Sequence, residues 1–315
     1  MAGLVHIRLL VPAARADETT ALLVGRIGVT NVVRLRGAAV QPVGDVIMFD
    51  VAREAGNDLL SDLRASGLHD DGSLSVTHSS LSFGTGVEIA LHEAPGEADS
   101  TVLWAEVETI VVRGGQTTPL LQAYFVIAAV IATAGVLTDS SILIVGAMVV
   151  GPEYGPIAAM SWYLQQRRPR SFAASAMVGA MGSSAAVVAA FAMTMVLRWI
   201  DRIPDDFELG NQLNAGFISH PDVFSAIVAG VAAVAGVLSL TFAHSSTLVG
   251  VLVSVTTIPA IAAIGIGAAV GDWSGVWGAF GQLSVNLGCL VVVGAVTLAV
   301  LRWRTPHAVL FNEGG

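Results

Sequence analysis

Two rhythms of apolar and polar positions run along the chain, and the change between them falls close to residue 117. In the first part, short β-branched runs alternate with helical ones. LVHIRLLV, residues 4–11, has the period-two pattern of a strand, and DETTALLVGRIG has that of a helix with Asp17 near its N-cap. VTNVVRLRG and GDVIMFDVA predict two strands joined around Pro42. EAGNDLLSDLRASG then places Leu59, Leu60 and Leu63 at helical spacing and stops at Gly67, after which SLSVTHSSLSF alternates as a strand.

The predicted order over residues 1–84 is βαββαβ, the split unit of a ferredoxin-like α+β domain. Residues 85–117 read as a turn-rich linker followed by an interfacial helix. In TVLWAEVETIVVRGG, Leu103, Trp104, Val107, Ile110 and Val111 share one helical face, with Glu106 and Thr109 opposite. That pattern suits a helix lying at the bilayer surface and turning inward at Gly114 and Gly115.

Beyond residue 117 the period-two signal disappears and long uncharged runs replace it. A run of roughly 20 residues spans about 30 Å of hydrocarbon, and residues 118–138, 171–197, 223–243, 245–271 and 273–301 qualify. Residues 140–165 make a sixth span if Glu153 is tolerated. The transmembrane domain thus covers residues 118–304, with residues 305–315 as a tail. With the N-terminus inside, Arg113, Arg167, Arg168, Arg170, Arg302 and Arg304 flank the inner face, and only Arg198 and Arg202 the outer one. The bias places both termini in the cytoplasm.

The second and fifth spans resemble each other. SSILIVGAMVVGPEYGPIAA and SSTLVGVLVSVTTIPAIAAI each open on a Ser-Ser pair, reach a glycine five or six residues later and carry a proline near the middle. Three spans per half would invert the second half relative to the first, the inverted-repeat arrangement in which paired broken helices form a site near the bilayer midplane. In the first break, Pro152 and Pro156 each remove a backbone donor and Gly151 and Gly155 let the chain deviate, with Tyr154 between them. Freed backbone groups at that depth must line a cavity or be buried in protein. Glu153, near the centre of the span, would cost roughly 2.5 to 3.5 kcal/mol or more if charged and facing lipid, so it is expected to face inward, where protonation is one way to hold it. Thr256, Thr257 and Pro259 occupy the matching break, where hydroxyls and carbonyls could meet a cation or polar solute opposite Glu153. The same letters also fit re-entrant hairpins in place of kinked spans.

Secondary candidates are Asp139 and His244, each directly before a Ser-Ser pair and read as helix caps assisted by Ser141 and Ser246. Gln282 is a further polar residue of the last span, and Asn286 is deep in it, where an interhelical bond is its expected role. Small residues four apart, Ser175, Gly179 and Ser183 in span three and Ser225, Ala229 and Ala233 in span four, permit close helix contact within or between protomers, and a homo-oligomer is expected.

Composition supports the division. Hydrophobic residues make up 54% and charged residues 12%, against about 25% charged in soluble domains, and the mean hydropathy is +0.73. Residues 1–117 hold fifteen acids against eight arginines. So acidic a head excludes a nucleic-acid footprint. All 15 basic residues are arginine, which removes lysine-dependent chemistry, and the lone Cys289 joins no disulfide or metal spacing. His6, His69, His78 and His92 are scattered and read as surface or packing residues, so no metal or other cofactor is implied. The N-terminal apolar run reads as too short for a signal segment, and the head is expected to stay in the cytoplasm. The Ala, Gly, Val and Arg richness suits a bacterial chain.

At SILIVGAMVVGPEYGPIAA the chain resembles a bacterial family known as the uncharacterised hydrophobic domain, domain of unknown function three-eight-nine. The family's Gly-Ala-Met stretch followed by Pro-x-x-Gly-Pro-Ile is met by Gly146, Ala147, Met148, Pro152, Gly155, Pro156 and Ile157, and Pro259 represents its later Pro-Pro pair. The resemblance covers roughly residues 120–301. It implies a prokaryotic multi-span protein, often with a soluble N-terminal domain, and it assigns no activity or catalytic residue.

These readings favour an inner-membrane transporter or channel for a small solute or ion, its site at the paired breaks and its head a cytoplasmic regulator. The alternative is a membrane-anchored sensor or scaffold whose head binds a small metabolite. HExxH, Gly-x-Ser-x-Gly and phosphate-loop patterns are absent, so no enzyme is expected.

Overall fold

The structure is a computed structural model and describes residues 4–68, 72–78, 84–94, 102–203, 207–211, 223–242 and 257–304. The chain divides into two compact units, a head ending at Val107 and a membrane unit, Glu108–Leu301.

In the head, strand β1 is Leu4–Val11, helix α1 Ala13–Leu23, β2 Val29–Val40, β3 Val43–Ala52, α2 Arg53–Ala65 and β4 Ser73–His78. The four strands form one antiparallel sheet in the order β2-β3-β1-β4. Alternation along β1 and β3 sends Val5, Ile7, Leu9, Ile47, Phe49 and Val51 to one side, where they are fully buried with Leu23, Leu59 and Leu63. Helix α1 begins earlier than its sequence pattern indicates, after Pro12. Asp17 is therefore no cap but an exposed mid-helix residue paired with Arg34.

The segment read as a linker holds a helix, α3, Thr85–Glu93, whose Val87 and Ala90 are buried; Val87 packs with Leu4 and Ala52. Helix α4, Trp104–Gly114, follows. Its buried stripe is Leu103, Trp104, Val107 and Val111, while Ile110, expected on that face, is 46% exposed. Leu103 belongs to the head's core and Asn57 fixes its neighbours, donating to the Val102 carbonyl and accepting from the Trp104 N–H.

One buried carboxylate ties the β2-β3 hairpin. Asp45 accepts from the Gly37 N–H at 2.8 Å and from Arg34 Nε at 2.7 Å, and these bonds lower its pKa below the usual carboxylate range. A carboxyl whose folded pKa is depressed contributes stability that is complete above its unfolded value, about 3.9, and that disappears as pH falls through the folded value. Asp45→Asn is expected to melt several degrees lower than the wild type at neutral pH and to converge on it in acid, as followed by thermal unfolding of the full chain. Parallel pH profiles for the two proteins would remove Asp45 as the source.

In the membrane unit, α5 is Pro119–Leu137, α6 Ser141–Val150, α7 Tyr154–Gln165, α8 Pro169–Trp199, α9 Val223–Phe242, α10 Ile258–Val270 and α11 Trp273–Arg304. Among the described residues, α5, α8, α9 and α11 are each long and apolar enough to cross a membrane, and α6 with α7, bent by 58° at a short break, makes a fifth candidate. The protein is a membrane protein. Helix α10 is a shorter apolar helix, and residues 243–256, which include the first part (245–256) of the expected fifth span, lie outside the described residues.

Small side chains let these helices approach. Ala128, Ala129 and Ala132 of α5, Ala186 and Ala190 of α8 and Ala262 of α10 are all fully buried in one cluster with Phe125, Ile258 and Ile261. Ala229 and Ala233 of α9 pack with Ile157 and Met160 of α7 and with Leu290 and Val291 of α11. Two residues of the small-residue row in span four, Ala229 and Ala233, therefore serve contact within the chain.

Candidate functional site

The site starts from a stretch that cannot remain helical. Helix α6 ends at Gly151, which adopts an extended conformation, with its N–H still bonded to the Ala147 carbonyl. Pro152 stands in the break and Glu153 caps α7. Pro156 lies in the first turn of α7, where a missing N–H removes no intrahelical bond. It starts a helix rather than breaking one, a correction to the sequence reading of two lost backbone bonds. Pro259 does the same in the first turn of α10, after Thr257 at the N-cap position.

Gly155 serves an approach rather than a bend. A Cβ built there would lie 2.7 Å from the Gly114 carbonyl oxygen, and one built on Gly114 3.0 Å from Gly155 Cα. The last turn of α4 therefore packs backbone to backbone against the start of α7. Tyr154 secures the same turn by donating its hydroxyl to the Gly236 carbonyl of α9 at 2.6 Å.

The carboxylate of Glu153 makes no capping bond to its own helix. It is 3% exposed, and Thr257 Oγ1 donates to its Oε1 at 3.1 Å. Two helices, α7 and α10, thus begin at two side chains that touch. Helix N-termini carry partial positive charge and orient backbone N–H groups outward, so an anionic group is at its most favourable there. Discontinuous helices with facing ends form the substrate sites of many transporters.

Glu153 and Thr257 line a cavity of about 540 Å³, within the range of roughly 300 to 1,000 Å³ for small-molecule sites. Helix α7 contributes Pro156, Ile157 and Met160 to its wall, and α8 contributes Gly179, Ser183 and Ser184. Phe125 of α5, Ile261 of α10 and Phe280 and Leu283 of α11 complete much of the rest. Gly179 and Ser183, expected as helix-contact residues, line the cavity, and a Cβ built on Gly179 would also lie 3.7 Å from Pro156 Cβ of α7; Ser175, the third of that row, is buried, with its hydroxyl 3.0 Å from a Cβ built on Gly115.

The other candidates fall elsewhere. Asp139, half-buried with φ 49°, closes the α5–α6 turn, and the cap of α6 is Ser140, whose hydroxyl accepts from the Leu143 N–H. Asn286 is fully buried on α11 and Gln282, one turn before it, is 4% exposed; neither is among the cavity's lining residues. Thr256 and His244 lie outside the described residues. The sequence reading did not single out Phe125 or Phe280, because an aromatic residue in an apolar run carries no signal that separates lining from packing.

The model of the family described as Domain of unknown function (DUF389) matches residues 148–292. The resemblance read at the first break holds over that segment, which contains the break, Thr257 and most of the cavity wall, and the description names no activity. No curated protein and no solved structure matches the chain.

Proposed function

We propose that the membrane unit carries a small solute or ion across the bilayer, with its site where Glu153 and Thr257 meet. The observation that carries the reading is a carboxylate 3% exposed, at a helix break inside a membrane segment, hydrogen-bonded across to the start of a second helix on the wall of a cavity. An ionisable group at membrane depth costs several kcal/mol if it faces lipid, and an anchor needs neither the group nor the space beside it.

The inverted repeat belongs to this reading. α5, the bent α6–α7 pair and α8 form one set of three, and α9, the segment ending in α10, and α11 the other. Helices α7 and α10 each begin at a polar N-cap with a proline in the first turn. The head belongs to it as a ferredoxin-like regulatory domain, supported by the βαββαβ order and the antiparallel order β2-β3-β1-β4. The protein acts without catalysis of its own, as a homo-oligomer in the cytoplasmic membrane of a bacterium, with both termini in the cytoplasm as the flanking arginines favour.

The test is flux in proteoliposomes containing the full-length protein, read with an internal pH-sensitive dye and with tracer ions under imposed gradients. Flux well above that of empty liposomes is expected. Protein that is folded by circular dichroism and monodisperse, yet passes none of the panel, would leave the alternative of a sensor whose head binds a metabolite.

A further inference from the structure

Resting on the transport reading, we propose that the cavity beside Glu153 receives an organic ammonium ion with an apolar body, a lipophilic amine or quaternary ammonium. The wall dictates this pairing of charge and surface. Among the described lining residues, oxygen-bearing side chains are Glu153, Thr257, Ser183 and Ser184, and the remainder are aliphatic, aromatic, proline or glycine, with the thioether of Met160. Two of the three hydroxyls already donate elsewhere, Thr257 to Glu153 and Ser184 to the Ala180 carbonyl.

A calcium or magnesium ion stripped of water takes about six or more oxygen ligands, more than these side chains provide, so it would have to keep its water against apolar walls. An organic anion would meet the carboxylate, which already occupies the place where the two helix N-termini favour negative charge. An ammonium with apolar substituents satisfies both parts of the cavity at once. Its charge is met by an acceptor, and its body by Ile157, Met160, Ile261 and Leu283.

Aromatic rings reinforce the choice. Phe125 and Phe280 both line the cavity, and ring faces attract quaternary ammonium groups. Phe280 is held edge-on to Trp277, with ring centroids 6.0 Å apart and planes at 86°. A lipophilic ligand would meet the lining from the side, since its Val188 and Phe280 are 65% and 51% exposed on α8 and α11, helices long and apolar enough to cross a membrane.

The experiment is isothermal titration calorimetry of the full-length protein in detergent with phenyltrimethylammonium, and with benzenesulfonate as a probe of similar size and opposite charge. Wild type is expected to bind the cation and not the anion. Glu153→Gln should weaken the cation at least about tenfold, and Phe280→Leu, a change on an exposed ring that folding tolerates, a few-fold. Equal cation affinity in wild type and Glu153→Gln, or equal binding of the two probes by wild type, overturns the proposal. No binding of phenyltrimethylammonium by protein that still conducts protons or ions overturns it while leaving transport standing. Binding with the expected charge preference, in protein without flux of any tested solute, sustains the ligand class and removes the transport role.

Discussion

Replacing Glu153 by glutamine is expected to lower flux at least about tenfold and to flatten its dependence on pH, while the protein still assembles. The two side chains have the same shape, and the amide oxygen can accept from Thr257 Oγ1 as the carboxylate oxygen does at 3.1 Å. What the substitution removes is the titratable charge. A tenfold loss corresponds to about 1.4 kcal/mol in the barrier, well within the influence of a charge in surroundings of low polarity. The measurement is a pH series of dye and tracer flux at matched protein density. Thr257→Val is the companion, because it leaves the charge and deletes its hydrogen-bond donor. A milder loss with the pH dependence retained is expected there. Identical flux curves for wild type and Glu153→Gln would retire the carboxylate as the coupling group.

The second large effect is structural. Gly265 lies where α10 crosses α8, and a Cβ built there would lie 2.6 Å from the Val187 carbonyl oxygen, 2.7 Å from Ala190 Cβ and 3.0 Å from the Phe191 N. Two of these obstacles are backbone atoms, which cannot move aside as a side-chain tip can. Gly265→Ala is expected to destabilise the membrane unit by about 2 to 3 kcal/mol, even after the gain of about 1 kcal/mol that alanine brings to a helix. Thermal unfolding in detergent, followed by tryptophan fluorescence, should show a clear drop in midpoint. Gly288→Ala on α11 is the control, since nothing lies within 4 Å of its built Cβ. A Gly265→Ala midpoint equal to that of the control would mean that the crossing is looser than these distances imply.

What was legible in the sequence followed from how local each cause is. The strands of the head announce themselves because one residue in two of β1 and β3 must enter the core, and the bent pair α6–α7 because glycine, proline and glutamate interrupt an apolar run. Burial of Glu153 followed from the cost of the alternative. Its meeting with Thr257 was expected from the similarity of the two apolar segments, each with a proline near its middle, although only a tertiary contact makes it a hydrogen bond. Helix α3 was missed because GTGVEIALHEA is short and glycine-flanked, and its burial depends on Leu4 and Ala52, distant in sequence. Ile110 was misplaced because the five apolar residues from Leu103 to Val111 assigned to one face cover a wider arc than the four that are buried. The roles of Pro156 and Gly155 were misread for a common reason: proline and glycine mark an interruption, but whether they end one helix, begin the next or admit a neighbouring backbone depends on what lies across from them.

The bond between Glu153 and Thr257 joins residues 104 positions apart, which has a bearing on how the protein is made. At about 5 to 20 residues per second of synthesis, the threonine leaves the ribosome some 5 to 20 seconds after the glutamate. During that interval the first three helical segments can enter the bilayer, but the donor from the second half does not yet exist. The acidic residue at the break is therefore made, and its segment available for insertion, before this hydrogen-bond donor exists. A nascent chain that stalls before residue 257 carries this carboxylic acid without the Thr257 hydroxyl, so the contact between the two helix starts forms only once most of the chain has been made.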